Sequence, residues 1–156
     1  MTAIAADRDA RRKDGDIVAY DVQAAEIIYK GVPVTLDASD RMLQQNDGTT
    51  FTLASGDIFV GISYEGCDNS AGADEAKKCR VWRKGVFLLP FSDTLNDASV
   101  GKPVYINNVS DDSVVTVTSD TGQQEIRIGT IVEVESASQA WVQIDNFVDG
   151  VSAVAS

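Results

Sequence analysis

The chain has 156 residues, 44% of them hydrophobic, with 13 Lys plus Arg against 24 Asp plus Glu, a formal net charge of −11 and no histidine. That size suits one domain able to bury ~70% of its unfolded surface. The missing cation surplus argues against nonspecific nucleic-acid binding, and the missing histidine excludes Ser-His-Asp, Cys-His and His-zinc chemistry.

From the N-terminus, Met1 to Asp16 has no hydrophobic period and sets Arg11, Arg12 and Lys13 among acids, so it reads as an extended arm. It lacks an uninterrupted apolar stretch of the kind that begins a secretory signal, and no segment approaches the ~18 apolar residues of a membrane span. Short apolar runs follow at Ile17 to Asp21, Glu26 to Lys30 and Val32 to Leu36, the last two separated by Gly31 and interrupted by Pro33. Asn46-Asp47-Gly48 signals a turn. Further strands are expected at Phe51 to Ala54, Ile58 to Tyr64, Cys79 to Arg83, Val86 to Leu89, Pro103 to Ile106, Val114 to Thr118, Glu125 to Val134 and Ala140 to Ile144.

Helical periodicity is confined to turns near Asp74 to Lys78 and near Asp93 to Ala98, the second with Leu95 and Val100 packed beneath it. In the long strand, Ile126, Ile128, Thr130, Val132 and Val134 should share one face. Trp82 and Trp141 read as anchors of the core or its rim. Strands this short, at ~8 to 12 residue intervals, give an all-β fold, a compact barrel or sandwich, in residues 17–147, with 148–156 as a flexible tail.

Candidates for chemistry are weak. The segment between Cys67 and Cys79 holds Asp68, Ser70, Gly72, Asp74 and Glu75, but its spacing fails that of a calcium loop. The cysteines themselves read as two reduced thiols, with a disulfide across the base of the loop as the alternative. Asp111, Asp112 and Asp120 read as turn residues, and Gly61 to Gly66 lacks the Lys-Ser/Thr of a phosphate loop. No catalytic, cofactor or metal site is expected. Lys77, Lys78, Arg80, Arg83 and Lys84 form the only concentrated cationic patch, which either neutralises the acidic loop beside it or meets an acidic partner.

One stretch is the most informative: Arg80 to Phe91, RVWRKGVFLLPF, then a polar run, then Val100 to Ile106, VGKPVYI. This order resembles the central segment of the capsid cement, or head decoration, proteins of tailed bacteriophages. The likeness extends to the spaced pattern MTA, AADR, KDG and AY with Val over Met1 to Val22, IYKGVPVTL at Ile28 to Leu36, FVGIS at Phe59 to Ser63, DNSAGADEAKKC at Asp68 to Cys79, IGTIVEV at Ile128 to Val134 and AWVQID at Ala140 to Asp145. The cysteine pair departs from the family pattern.

The resemblance implies a non-enzymatic viral structural protein. Such a protein is made in the host cytoplasm, docks on the outer surface of the expanded head and bridges major capsid subunits. The implied partners are the major capsid protein and neighbouring cement subunits, in clusters such as trimers, with neither nucleic acid nor membrane involved. The interface would use the arm's Arg8, Arg11, Arg12 and Lys13 together with the patch from Lys77 to Lys84. The alternative function is a β-rich carbohydrate- or receptor-binding module of a phage fibre or cell surface, with Trp82, Trp141, Tyr64 and Tyr105 as candidate platform residues.

Overall fold

The computed structural model of the chain describes residues 16–45, 53–107, 115–119, 124–144 and 152–153. Twelve strands occur among them: β1 (Ile17–Asp21), β2 (Ile27–Ile28), β3 (Pro33–Leu36), β4 (Leu43–Gln44), β5 (Ile58–Ser63), β6 (Cys67–Asp68), β7 (Lys78–Trp82), β8 (Gly85–Pro90), β9 (Pro103–Asn107), β10 (Gln124–Ser136), β11 (Gln139–Ile144) and β12 (Ser152–Ala153). The first sheet runs β1-β7-β5-β3-β4, the second is built on β10, and β2 with β6 forms a third, two-stranded sheet. Strand pairing within all three sheets is antiparallel. In the second sheet β9 lies along one edge of β10, since Gly129 pairs at once with Val104 and with Ile144 of β11. Strand β8 then closes the far side. The fold is all-β and sandwich-like, and among the described residues the strands form no closed barrel, the other of the two expected architectures.

The physical centre is β5, IFVGIS, buried almost along its whole length. An apolar run without polar alternation is what a strand covered on both faces requires. Phe59 and Ile62 join Ile126, Ile128, Ile131, Val142 and Ile144 in the apolar layer between the first two sheets. Val60 packs on the other side with Val22, Ile28, Val34, Leu43, Cys79 and Val81, under β2 and β6. Two glycines permit the close strand approaches this layering needs. A Cβ on Gly61, at φ +150, would stand 1.8 Å from the Trp82 carbonyl oxygen, and one on Gly129 would stand 2.1 Å from that of Gln143.

Several expectations need correction. Strand β10 does not keep one alternation: register shifts fall between Arg127 and Gly129 against β9 and between Ile131 and Glu133 against β11. Each extra residue exchanges the faces, so Ile131 is buried at 1% exposure while Val132, expected to share the face of Ile128, is 42% exposed. The helical turn expected at Asp74 to Lys78 is absent. Glu75 takes a left-handed φ of 64, and Lys78 pairs with Asp21 as a strand residue, so the sheet's demand overrides local preference.

The second expected turn narrows to a 3-10 turn at Asp97–Ser99, capped by Asn96 through a 2.9 Å bond from the Ala98 N–H to Asn96 Oδ1. Leu95 is buried beneath that region as expected, whereas Val100 is 50% exposed. Leu53 contributes to the core from a loop and not from a strand. Val115 and Thr116 make only isolated bridges, to Phe91 and Tyr105. Within the expected tail, Ser152–Ala153 pairs with β10. Residues 1–15, with Arg8, Arg11, Arg12 and Lys13, lie outside the described residues, as do the Asn46-Asp47-Gly48 turn and Asp111, Asp112 and Asp120.

Candidate interaction surface

The cationic patch is assembled by β7 and the turn after it. Lys78 and Arg80 point outward from β7 because Cys79 and Val81 between them point into the core. Each exposed cation has an acid beside it. Lys78 Nζ stands 2.7 Å from Asp21, its cross-strand partner, and Lys84 Nζ stands 2.6 Å from Asp16. Arg80 places Nη2 2.8 Å and Nε 3.2 Å from Glu65 Oε2, and its main-chain N–H donates to Glu65 Oε1 at 3.1 Å.

Those hydrogen bonds hold the Glu65 carboxyl below the usual carboxylate range. Lys77 donates to the Asp68 main-chain oxygen. Arg83 differs, being half-buried with its Nε lacking a hydrogen-bond partner among the described residues. Of the expected patch, Lys78, Arg80 and Lys84 along β7 and the turn after it are thus each held in an ion pair. Exposed pairs of this kind contribute ~0–1 kcal/mol each to stability.

Arg80 also stacks on Tyr64, with its guanidinium carbon 4.6 Å from the ring centroid. Tyr64 meets Trp82 edge-on at 5.1 Å, and Trp82 lies 6.4 Å from Phe87. The aromatic chain runs from the surface into the sandwich layer, so Trp82 is a rim anchor as expected.

Sequence reasoning missed a second surface, the outer face of β8 and β11. Cross-strand partners share a face, and the register sets Val86 beside Gln143, Leu88 beside Trp141 and Pro90 beside Gln139. None of the six carries a charge. Val86 is 48% and Leu88 39% exposed. Trp141 is half-buried and donates its indole N–H to Glu135 Oε2 at 3.0 Å. The sequence signal was the alternation in Val86 to Pro90, legible once Leu89 is known to be the inward residue.

The acidic loop is organised from within. Asn69, 1% exposed, donates through Nδ2 to the main-chain oxygens of Gln23 and Ala73, both at 3.0 Å, and so fastens the loop to the end of β1. Asp68 accepts from the Ser70 hydroxyl and N–H, which hold its carboxyl below the usual range. Beside this loop, an open cleft of about 380 Å³ runs along Ile27 to Lys30 and Gly66 to Asp68.

At its edge the two cysteines are free thiols. Cys79 is wholly buried and donates to the Glu65 main-chain oxygen at 3.3 Å, while half-buried Cys67 donates to that of Lys78 at 3.5 Å. Burial pushes the Cys79 thiol up, with Cys67 and the negative charge of Glu65 adding to the effect. The described residues include no helix long and apolar enough to cross a membrane.

Comparison of the chain with protein-family models and with curated proteins yields no match in either case.

Proposed function

We propose that the chain is a viral structural protein that binds the outside of an expanded bacteriophage head and bridges its major capsid subunits. The observation that carries this reading is the uncharged outer face of β8 and β11, in a chain of net charge −11. It lies on Gly85 to Pro90, within the segment where the likeness to cement proteins is densest. Interface centres are depleted in charged residues because a charge stripped of water without a partner costs several kcal/mol. The row of Val86, Leu88 and Trp141 avoids that penalty, and the carboxylates nearest to it, Glu133 across from Trp141 and Glu135 bonded to its indole N–H, stand on β10 at its border.

The paired cations around β7 suit a rim that adjusts to an acidic shell, and the arm's Arg8, Arg11, Arg12 and Lys13 belong to the same proposed contact. Because the shell presents its binding geometry only after expansion, each bound copy stabilises that state over the precursor. In this reading the protein has no catalytic role, and its partners are the major capsid protein and other copies of itself.

Cosedimentation with expanded heads, unexpanded precursor shells and glycan-coated beads tests the reading. Binding to expanded heads alone is expected. The variant Leu88→Asp should weaken it by about tenfold or more, as removal of a central interface contact does, with the fold unchanged because the residue faces solvent. Charge reversal at Arg83 and Lys84 should instead lower the association rate and its dependence on salt. Capture on glycans with no affinity for heads would overturn the proposal in favour of a carbohydrate-binding module.

A further inference from the structure

We propose that Glu65, Cys67 and Cys79 bind a single thiophilic d10 cation, Zn²⁺ by preference, through one carboxylate oxygen and two sulfurs. The three donor atoms lie within 4.8 Å of one another, although they come from the bend after β5, from β6 and from β7. A tetrahedral zinc site with bonds of ~2.0–2.3 Å holds its donors about 3.3–3.8 Å apart, so closure needs side-chain adjustment of roughly an ångström. Two sulfurs among three donors select a borderline-soft metal over Mg²⁺ or Ca²⁺, which take oxygen. The fourth position falls to water, reached from the side of Cys67, which lines the open cleft with Ile27 and Gly66.

The surroundings complete such a site. A ligating carboxylate is ordinarily oriented by an outer hydrogen bond, and Arg80 already supplies this to Glu65 from its guanidinium and its main-chain N–H. Charge also balances. Two thiolates and one carboxylate are offset by a divalent cation plus Arg80, while the metal-free form is offset as two neutral thiols with a Glu65–Arg80 pair. Binding therefore exchanges two thiol protons for one cation without leaving net charge beside the buried Cys79. A bound ion would tie the bend at Tyr64–Glu65 and β6 to β7, fixing the wall of the cleft next to Tyr29.

Titration of the full chain, reduced with a phosphine and kept free of oxygen, tests the site with Cd²⁺ as a spectroscopic probe and Zn²⁺ in equilibrium dialysis. One equivalent of either metal per chain is expected, with thiolate-to-cadmium charge-transfer absorption. Cys67→Ala should abolish that absorption and weaken binding at least a hundredfold. Glu65→Gln, altered at a half-buried side chain, should retain one equivalent with affinity lower by about tenfold or more, and it decides the matter if Cys67→Ala does not fold. Lys78→Ala should change nothing. Binding that is substoichiometric, undiminished in both variants, or shared between two chains would overturn the proposal. So would a mass two hydrogens light that survives reduction, because the thiols would then be a structural disulfide.

Discussion

The two sides of the first sheet are built on different principles. Toward the second sheet it meets regular strands, whose backbone groups are already paired, and the filling is dominated by aliphatic and aromatic side chains: Phe59, Ile62, Ile126, Ile128, Ile131 and Val142. Toward β2 and β6 it is covered by strands of two residues and by loops. There the backbone of the cover has few ladder partners, and an unpaired buried amide is costly, so polar side chains supply the bonds.

Gln45, buried, accepts from the Tyr29 N–H at 2.9 Å, whereas Asp57, which takes bonds from Ala38, Ala54 and Gln44, lies with Phe59 on the other side. Ser63 Oγ likewise accepts from the Val32 N–H, while Asn69 donates through Nδ2 to the main-chain oxygens of Gln23 and Ala73. The thiol pair also belongs to this polar side. One face of a sheet can thus be held by area and the other by hydrogen bonds, within the same five strands.

Substitutions on either side sharpen the contrast. On the apolar side Ile131→Ala should cost the most, about 3–4 kcal/mol, from lost transfer energy plus the cavity left by neighbours that cannot collapse. Denaturant unfolding should show this as a lower midpoint at an unchanged slope. On the polar side Asn69→Ala should cost about 2–3 kcal/mol, since it strands the main-chain oxygens of Gln23 and Ala73. Asn69→Asp, which removes the donor, should recover none of that loss, and a cost for Asn69→Ala below about 0.5 kcal/mol would show that hydrogen bonds do not hold this face.

Smallest of all, Lys84→Ala should move stability by no more than about 0.5 kcal/mol, because its partner Asp16 shares a solvent-exposed pair. A larger fall would show the paired rim to be structural.

Much of the strand content was legible in the residues, because β-branched and aromatic runs between glycine, asparagine and proline carry their own signal: Ile17–Asp21 and Pro103–Asn107 match the expected runs to within a residue. The two-residue strands β4 and β6 were not legible, since Leu43–Gln44 and Cys67–Asp68 have no periodicity to read and exist only because a partner strand is present. The cationic patch was visible as a cluster, but its neutralisation was not. Asp16, Asp21 and Glu65 are far from their partners in sequence or separated by a strand turn, and only the register of β1 on β7 sets Asp21 beside Lys78.

What the residues determined alone is the class of molecule: an acidic chain without histidine, composed of short strands whose apolar positions demand a second layer. Tertiary structure decided which face each side chain takes. The bulge between Arg127 and Gly129 in β10 exchanges Ile131 for Val132 at the core, and the pairing of β8 with β11 gathers Val86, Leu88 and Trp141 on the outer surface. The bends that follow β5 and β6 bring Glu65 and Cys67 to Cys79. A period of two fixes a face only relative to its neighbours in the same strand, so a single inserted residue reverses the assignment, and long-range pairing settles where that residue goes.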